Sequence, residues 1–293
     1  VLIETTEFQK RKIGSKTVFD VLQDQLPPRL LASLPKSIDI IGQVAVVEIP
    51  LELQENRAKI GEAILEVNSK VHTALAKAGP ISEKYRVREF EVIAGKGETL
   101  TTHKEFGCMY TMDVRKVYFS PRLSFEHERV ASQVREGETV LDMFAGVGPF
   151  SILIAKRVRK VKVYAIDINQ DAVRFLNENI ALNKVQGKVT PILGDARTII
   201  KEHFAGRADR VIMNLPEKAL GFIDSACMAL KPVGGMVHYY SFAIEPNPLD
   251  EAKTDLEQAV IRAGRKIENF PDIRTVKSTA PHEWQVAIDA KVE

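Results

Sequence analysis

From residue 139 onward, short apolar runs alternate with segments whose apolar residues recur at helical spacing. The runs at 139–142, 161–166, 189–193, 210–213 and 236–240 predict buried strands. Stripes between them, such as Val173, Leu176 and Ile180, predict helices with one buried face. Alternating strands and helices are typical of a doubly wound parallel sheet. Residues 111–293 are therefore predicted to form a Rossmann-like α/β domain, closed by a strand pair after Arg265.

Residues 1–110 combine the two patterns differently and predict a smaller α+β domain. Val18, Leu22 and Leu26 indicate a short helix that stops at Pro27-Pro28. A β-rich run follows at 38–49, in which Gly42 marks a turn or a bulge. Strands are also predicted at 85–93 and within 99–114. Beyond residue 110, a short strand is predicted at 116–123 and a helix at 124–134. One long helix ending at Gly79-Pro80 is predicted from a stripe made of Ile60, Ile64, Val67, Val71 and Leu75.

The composition excludes several classes of protein. Lys and Arg number 41 against 39 Asp and Glu, a formal net charge of +2, so any surface for a polyanion has to be a local patch. Cys108 and Cys227 lie far apart and indicate neither a disulfide framework nor a zinc site. No apolar run reaches the roughly 20 residues of a membrane span, and no signal peptide is visible. We therefore expect a reduced, cytoplasmic protein without a metal, and we take it to be a monomer.

The candidate chemistry begins where the first α/β strand ends. Asp142 closes that strand, and Gly146-Val147-Gly148 forms a tight turn before an apolar helix. Asp167 and Asp195 follow the next two strands, and an acid in such a position can accept hydrogen bonds from both ribose hydroxyls. Ser151 stands where a dinucleotide site needs a third glycine. The pattern favours a nucleoside cofactor without a pyrophosphate, and it resembles the class I S-adenosylmethionine-dependent methyltransferases.

Four motifs make the resemblance more specific. They are Tyr118-Phe119-Ser120-Pro121-Arg122-Leu123 with Glu126, the run 142–150, Ala165-Ile166-Asp167-Ile168-Asn169, and Met213-Asn214-Leu215-Pro216. In this order and spacing they resemble the archaeal and eukaryotic tRNA (guanine-N1)-methyltransferases, which modify guanosine 37. The resemblance implies S-adenosylmethionine as cofactor and the tRNA anticodon stem-loop as partner. It implies a cofactor site made of Tyr118, Arg122, Asp142, Phe144, Gly146, Gly148, Asp167, Ile168, Asp195, Ala196, Asn214 and Pro216.

The same resemblance suggests catalytic roles. Guanine N1 carries a proton at neutral pH, so its methylation needs a group that removes this proton. Glu126 is the implied base; its alternative interpretation is a solvated helix residue beside Arg129. Proton loss leaves negative charge on O6, which a guanidinium can hold with directed donors. Arg86 is implied for that role, with Arg88 on the same strand face as the alternative. Asn214 offers an amide donor and acceptor to the guanine edge.

Two other functions are still open at this point. An aminocarboxypropyl transferase of wybutosine synthesis would share the fold and the cofactor. The phrases Pro121-Arg122-Leu123, Gly148-Pro149-Phe150 and Asn214-Leu215-Pro216 favour the methyl-transferring branch. A catalytically inactive RNA-binding scaffold is disfavoured, because binding alone does not require an intact base. Wyosine-type precursors stay open as further substrates, and the small elbow-binding domain of many archaeal members is not expected in this chain.

Overall fold

The computed structural model describes residues 16–81 and 88–293. Within them the helices are α1 Val18–Leu22, α2 Pro28–Ala32, α3 Arg57–Val67, α4 Ser124–Gln133, α5 Pro149–Arg157, α6 Gln170–Leu182, α7 Ala196–Ile199, α8 Ile223–Ala229 and α9 Pro248–Arg262. The strands are β1 Asp39–Ile41, β2 Val44–Val47, β3 Thr73–Ile81, β4 Arg88–Gly95, β5 Leu100–Glu105, β6 Cys108–Asp113, β7 Thr139–Asp142, β8 Lys162–Asp167, β9 Val189–Leu193, β10 Arg210–Met213, β11 Gly235–Ile244, β12 Ile267–Ala280 and β13 Glu283–Val292.

Among the described residues, the largest sheet has seven strands in the order β12-β13-β11-β10-β7-β8-β9. Its central strands pair in parallel, and β13 joins antiparallel between β11 and β12. The chain runs outward from β7 to β9 and then returns to place β10 on the other side of β7. Where strand order reverses in this way, a crevice opens beyond the carboxyl ends of the central strands. The predicted Rossmann-like fold with its closing strand pair is confirmed.

Strand β7 illustrates how both faces of this sheet are covered. Val140 belongs to a core that includes residues of α4, α5 and α6. Its neighbour Leu141 belongs to a second core, shared with α7, α8 and α9. Successive side chains of a strand point to opposite faces, so a continuous apolar run is what a strand buried on both sides requires. The two helical layers hold the carboxyl ends of the central strands in fixed positions.

The N-terminal part contains a four-stranded sheet in the order β1-β2-β3-β4, against which α3 packs. The prediction of one long helix was wrong in its second half, because α3 ends at Val67 and Leu75 lies in β3. Asn68 ends the helix with φ −124° and ψ 80°, and its side-chain amide donates to the carbonyl of Ile64 at 2.9 Å. Residues four apart share one face of a strand as well as of a helix, so the stripe continued across the break.

Of three other local predictions, one is confirmed, one is wrong and one falls partly outside the described residues. Gly42 does turn between β1 and β2, with a φ of +57°. Residues 116–123 are not a strand; they form a turn, an irregular segment and a 3₁₀ helix at Pro121–Leu123. The strand predicted at 85–93 is described from Arg88 onward, and its earlier residues lie outside the described residues.

A two-stranded hairpin, β5–β6, connects the N-terminal sheet to the large one. Asn179 on α6 and Asn183 directly after it each bond both backbone groups of one β6 residue, at 2.7 to 3.1 Å. Thr101 of β5 accepts from the backbone N–H of Gln43 in the β1–β2 turn, at 2.8 Å. The predicted domain boundary between residues 110 and 111 falls inside β6, and the division into 1–110 and 111–293 stays a prediction.

In the part of the chain that the structure describes, no helix combines the length and the apolar character needed to cross a membrane.

Candidate active site

A cavity of about 570 Å³, called here the central cavity, lies at the carboxyl ends of β7, β8, β9 and β10. This is the position that the reversal of strand order predicts for a ligand. The structure brings eight of the predicted site residues to its wall: Tyr118, Phe144, Gly146, Asp167, Ile168, Asp195, Ala196 and Asn214. Arg122, Asp142, Gly148 and Pro216 do not line this cavity.

Asp167 is the acid best placed to bind a ribose. One carboxylate oxygen accepts from the backbone N–H of Gly146 at 2.7 Å, and the other accepts from Asn169 N–H at 2.8 Å. These bonds fix the carboxylate between the turn after β7 and the start of α6, with lone pairs left for two hydroxyls. Burial raises the pKa of Asp167, although the backbone donors oppose this shift.

Asp195 and two aromatic side chains, Phe144 and Phe222, also line the central cavity. The Asp195 side chain caps α7 by accepting from Arg197 N–H at 2.8 Å. Phe144 meets Phe222 edge-on, with ring centroids 5.0 Å apart. The Arg197 guanidinium lies 3.6 Å from the Phe222 ring centroid. Acids for hydroxyls and flat apolar walls for a purine fit S-adenosylmethionine, which needs no phosphate cradle.

Replacing Asp167 with Ala is expected to weaken S-adenosylmethionine binding by about 1.5–3 kcal/mol, the usual contribution of charge-assisted hydrogen bonds. Calorimetry on the folded variant measures the change. Asp171→Ala is the matched control, because its carboxylate pairs with Arg174 on the exposed side of α6. Equal affinities for the parent and Asp167→Ala would remove Asp167 from the ribose site.

The two glycines of the turn have different roles. Gly146 has a φ of +54°, and a Cβ added there would meet only the Tyr118 carbonyl oxygen, at 3.8 Å. Gly148 has a φ of +94°, and a Cβ there would lie 2.5 Å from a Leu176 methyl carbon. Gly146 therefore leaves open space beside the cavity, whereas Gly148 lets α5 pack closely against α6.

Asp142 is a buried structural group in this arrangement. It is fully buried, and one carboxylate oxygen accepts from the Ser151 hydroxyl at 2.7 Å. The other oxygen has no hydrogen-bond partner among the described residues. Burial raises the pKa of Asp142 to about 7, with the nearby Asp167 adding to the shift and Ser151 opposing it.

This raised pKa predicts a pH-dependent effect of Asp142→Asn on stability. An acid whose pKa is higher in the folded than in the unfolded state makes the folded protein less stable as pH rises between the two values. The window here runs from about 4, the unfolded value, to about 7. Relative to the parent, Asp142→Asn should therefore gain about 2–4 kcal/mol of stability between pH 4.5 and pH 8. Urea unfolding at both pH values measures this gain, and Asp224→Asn serves as an exposed control. A difference between variant and parent that is the same at both pH values would contradict the raised pKa of Asp142.

Asn214 presents an unsatisfied group to the central cavity. Its amide oxygen is buried and has no hydrogen-bond partner in the described part of the chain. A buried acceptor without a partner costs free energy, so a bound ligand that donates to it would be favoured. This fits the predicted contact between Asn214 and a base or the cofactor.

Glu126 does not line the central cavity but belongs to a buried network beside it. Its side chain is 2 % exposed. One carboxylate oxygen accepts from Tyr240 Oη at 2.8 Å and from Arg129 at 3.0 Å, and the other lies 3.0 Å from Arg274. Arg129 also pairs with Asp289. Glu126 is therefore a fully paired carboxylate and not a solvated surface group.

The network extends across three strands beyond Glu126. His238 contacts Asp289 through Nδ1 at 2.6 Å, and Arg210 donates to its Nε2 at 2.7 Å. An arginine donor on one nitrogen makes the ring neutral, with the proton on Nδ1. Burial lowers the pKa of His238, and the two arginines act in the same direction. His238 is thus a structural link between β10, β11 and β13.

Arg122 lines a second cavity of about 280 Å³, called here the side cavity. Its guanidinium donates to Asp39 at 2.6 Å and to Ser37 at 3.2 Å, which joins the 3₁₀ turn after residue 120 to the N-terminal sheet. Arg88 also lines the side cavity. Arg86, the predicted partner of O6, lies outside the described residues.

Several residues that line the central cavity were not predicted from the sequence, and His127 is the most informative of them. His127 lines the central cavity, and its Nδ1 lies 2.6 Å from a carboxylate oxygen of buried Glu105. Glu105 is 22 positions away on another element, so no local spacing could have revealed the pair. Arg197 and Phe222 were missed for the same reason. Within the described ranges, no group of three or more His, Cys, Asp or Glu side chains is placed to hold a metal ion.

Comparison with known proteins identifies the family. Residues 101–268 match the TRM5/TYW2 methyltransferase domain, and residues 18–99 match the TYW2 N-terminal domain. The chain belongs to the TRM5/TYW2 family of methyltransferases. The predicted family is therefore confirmed.

Named relatives within the TRM5/TYW2 family differ in reaction. The tRNA (guanine(37)-N(1))-methyltransferase Trm5b of Pyrococcus abyssi is 44% identical over 91% of this chain and 78% of its own. The tRNA 4-demethylwyosine(37)-methyltransferase Taw21 of Saccharolobus solfataricus is 34% identical over 94% and 99%. A tRNA(Phe) (4-demethylwyosine(37)-C(7)) aminocarboxypropyltransferase of Methanocaldococcus jannaschii is 35% identical over 86% and 96%.

Two solved structures, of a Trm5 and of a TYW2 protein, match 100% and 88% of this chain. The complex of aTrm5 with tRNALeu has a TM-score of 0.82 and 34% identity, and the match covers 100% of this chain and 83% of that one. Methanocaldococcus jannaschii TYW2 in complex with AdoMet has a TM-score of 0.68 and 32% identity, over 88% and 99%.

Proposed function

We propose that this protein transfers the methyl group of S-adenosylmethionine to N1 of guanosine 37 in tRNA. The relative with 44% identity carries this activity in its name. The observation that supports the proposal in the structure is a wall shared by two cavities. Tyr118, Phe119 and Ser120 line both the central cavity, which suits the cofactor, and the side cavity next to it.

The side cavity has the character of a nucleotide site. Aromatic side chains in its wall can stack on a base, and they include Phe90, Phe119 and Phe242. Cationic side chains that can meet phosphate or a developing oxyanion are Lys77, Arg88, Arg122 and Lys277. A flipped guanosine bound there would face the cofactor across the shared wall. The chain's net charge of +2 is compatible with such a local cationic site.

The proposed chemistry assigns one role each to a carboxylate, a guanidinium and an amide. When bound, S-adenosylmethionine supplies an electrophilic methyl group. Glu126 takes the N1 proton, and Arg86 or Arg88 holds the charge that then develops on O6. Asn214 accepts from the guanine edge through its unpartnered amide oxygen. These roles follow the family motifs and the chemistry of guanine.

A second candidate reaction is carried by the two relatives that act on 4-demethylwyosine. One of them transfers methyl and the other an aminocarboxypropyl group, at 34% and 35% identity to this chain. Both alternatives use the same tRNA position and differ from the proposal in the base or in the group transferred.

One experiment separates these possibilities. Purified protein is incubated with tRNA transcripts that carry G or A at position 37, or with tRNA that bears 4-demethylwyosine there. Each reaction contains S-adenosylmethionine labelled either in the methyl group or in the carboxyl carbon. Nucleoside mass spectrometry then identifies the product. The proposal expects methyl label in 1-methylguanosine from the G37 transcript alone. Transfer of the carboxyl label would indicate aminocarboxypropyl transfer. Label that enters only tRNA bearing 4-demethylwyosine would select the methylation of that base, and no transfer to any substrate would favour an RNA-binding scaffold.

A further inference from the structure

A buried acid–histidine pair contributes to the wall of the central cavity through its histidine, His127. The side chains of His127 and Glu105 are 2 % and 4 % exposed, and His127 Nδ1 lies 2.6 Å from Glu105 Oε1. The His127 ring meets Phe150 edge-on at 4.6 Å between centroids. Phe119 contacts the same ring from another side, at 6.5 Å. A buried charge without a partner is costly, so this carboxylate requires the imidazole as its donor.

The hairpin that carries Glu105 is itself held in place. His103, also on β5, lies 3.9 Å from the second Glu105 oxygen, which has no hydrogen-bond partner among the described residues. The His103 Nδ1 accepts from the backbone N–H of Gly42 at 3.3 Å. On the other side, α6 bonds the backbone of β6 through Asn179 and Asn183. Contacts from two parts of the fold therefore determine where Glu105, and with it His127, is placed.

The direction of a bound cofactor follows from the acids. Asp167 marks the ribose, and the groups beyond it toward β9, namely Asp195, Ala196 and Phe222, suit the base. The amino-acid portion of the cofactor then extends the other way, past Gly146 toward α4 and the first turn of α5. That end of the wall contains His127, Leu123 and Phe150. The first turn of α5 also presents the positive end of a helix dipole.

We propose that His127, oriented by Glu105, binds the α-carboxylate of S-adenosylmethionine. Nδ1–H donates to Glu105, and Nε2–H donates to the cofactor carboxylate. With both nitrogens donating, the ring carries a positive charge that is balanced by one carboxylate on each side. His127 is then a cofactor-binding residue and Glu105 its positioning residue. This inference rests on the proposed cofactor, because it assigns one end of that ligand.

The test compares a ligand that has the carboxylate with two ligands that lack it. Calorimetry measures binding of S-adenosylhomocysteine, of its decarboxylated analogue and of 5′-methylthioadenosine to the parent, His127→Gln and Glu105→Gln proteins. The parent should bind S-adenosylhomocysteine about ten- to hundredfold more tightly than the decarboxylated analogue, as expected for one charge-assisted hydrogen bond. Each variant should lose about this factor for S-adenosylhomocysteine and less than about threefold for the two ligands that lack the carboxylate.

His203→Gln is the matched control, because His203 is an exposed histidine beside a glutamate, with a side chain 61 % exposed. It should leave all three affinities unchanged. Equal losses for every ligand in His127→Gln would mean that the ring only shapes the cavity, and this would overturn the inference. A parent protein that does not distinguish S-adenosylhomocysteine from its decarboxylated analogue would overturn it without any variant. If the parent binds none of the three nucleosides, the cofactor assignment fails together with the inference.

Discussion

Replacing Glu126 with Gln is expected to reduce the rate of methyl transfer by about 10² to 10⁴-fold, the usual contribution of general base catalysis. The amide has nearly the same shape and can still accept from Tyr240, whose hydroxyl lies 2.8 Å from Glu126 in the parent. It cannot accept the N1 proton of guanine. Single-turnover kinetics at several pH values measure the rate, and calorimetry checks that cofactor affinity is retained.

The contacts of Glu126 indicate which oxygen is available for the proton. Oε2 accepts from Tyr240, which is fully buried, and from Arg129, whose side chain is 9 % exposed. Oε1 is paired with Arg274, whose side chain is 24 % exposed and whose guanidinium lies 5.4 Å from the exposed Phe125 ring. The Nε of Arg274 has no hydrogen-bond partner among the described residues. We therefore expect the proton to reach Oε1, because Arg274 is the most exposed of the three partners.

Glu128→Gln is the matched control for this prediction. Glu128 lies on the same helix and also pairs with an arginine, Arg157, but on a different face of α4. Its variant should transfer methyl at the parental rate. If Glu126→Gln also keeps the parental rate across the neutral range, another group removes the proton. If its rate falls in parallel with its stability, the carboxylate has a structural role.

The parts of the fold that could be predicted were those that follow from local patterns in the sequence. The neighbours Val140 and Leu141 are both apolar because they point to opposite faces of β7, and both faces are buried. The turn at Gly146 and the acid at Asp167 could be placed because parallel strands bring their carboxyl ends to one edge of the sheet. By contrast, the stripe that ran on to Leu75 was misinterpreted, because spacing by four fits a strand face as well as a helix face.

The parts that could not be predicted depend on contacts between distant residues. Glu126 was identified from its motif, but its partners Tyr240 and Arg274 come from strands more than a hundred positions away. The pairing of Glu105 with His127 depends on how the β5–β6 hairpin docks on α6. Such pairings arise from the topology of the fold, so they cannot be predicted from the composition or the periodicity of the sequence.

The same network should make Arg129→Met one of the most destabilising single changes in this chain. The side chain of Arg129 is 9 % exposed and pairs with Glu126 at 3.0 Å and with Asp289. Removing one member of a buried ionic group leaves the others uncompensated, which typically costs about 3–5 kcal/mol. Urea unfolding at neutral pH measures this loss. Arg174→Met is the control, because Arg174 pairs with Asp171 and Glu178 on the surface and should cost less than about 1 kcal/mol.

The dependence of this loss on pH distinguishes an electrostatic cause from a packing defect. Burial alone would raise the pKa of Asp289, but His238 and Arg129 hold it well below its ordinary value. A carboxyl with a lowered folded pKa contributes stability that is present above its unfolded pKa, about 3.9, and is lost as pH falls below that value. Without Arg129 the folded pKa of Asp289 should rise, so part of this contribution is missing at neutral pH. The difference between parent and Arg129→Met should therefore be largest near pH 7 and shrink below about pH 4. A difference that stays constant across this range would mean that Arg129 acts through the packing of its aliphatic stem and not through its charge.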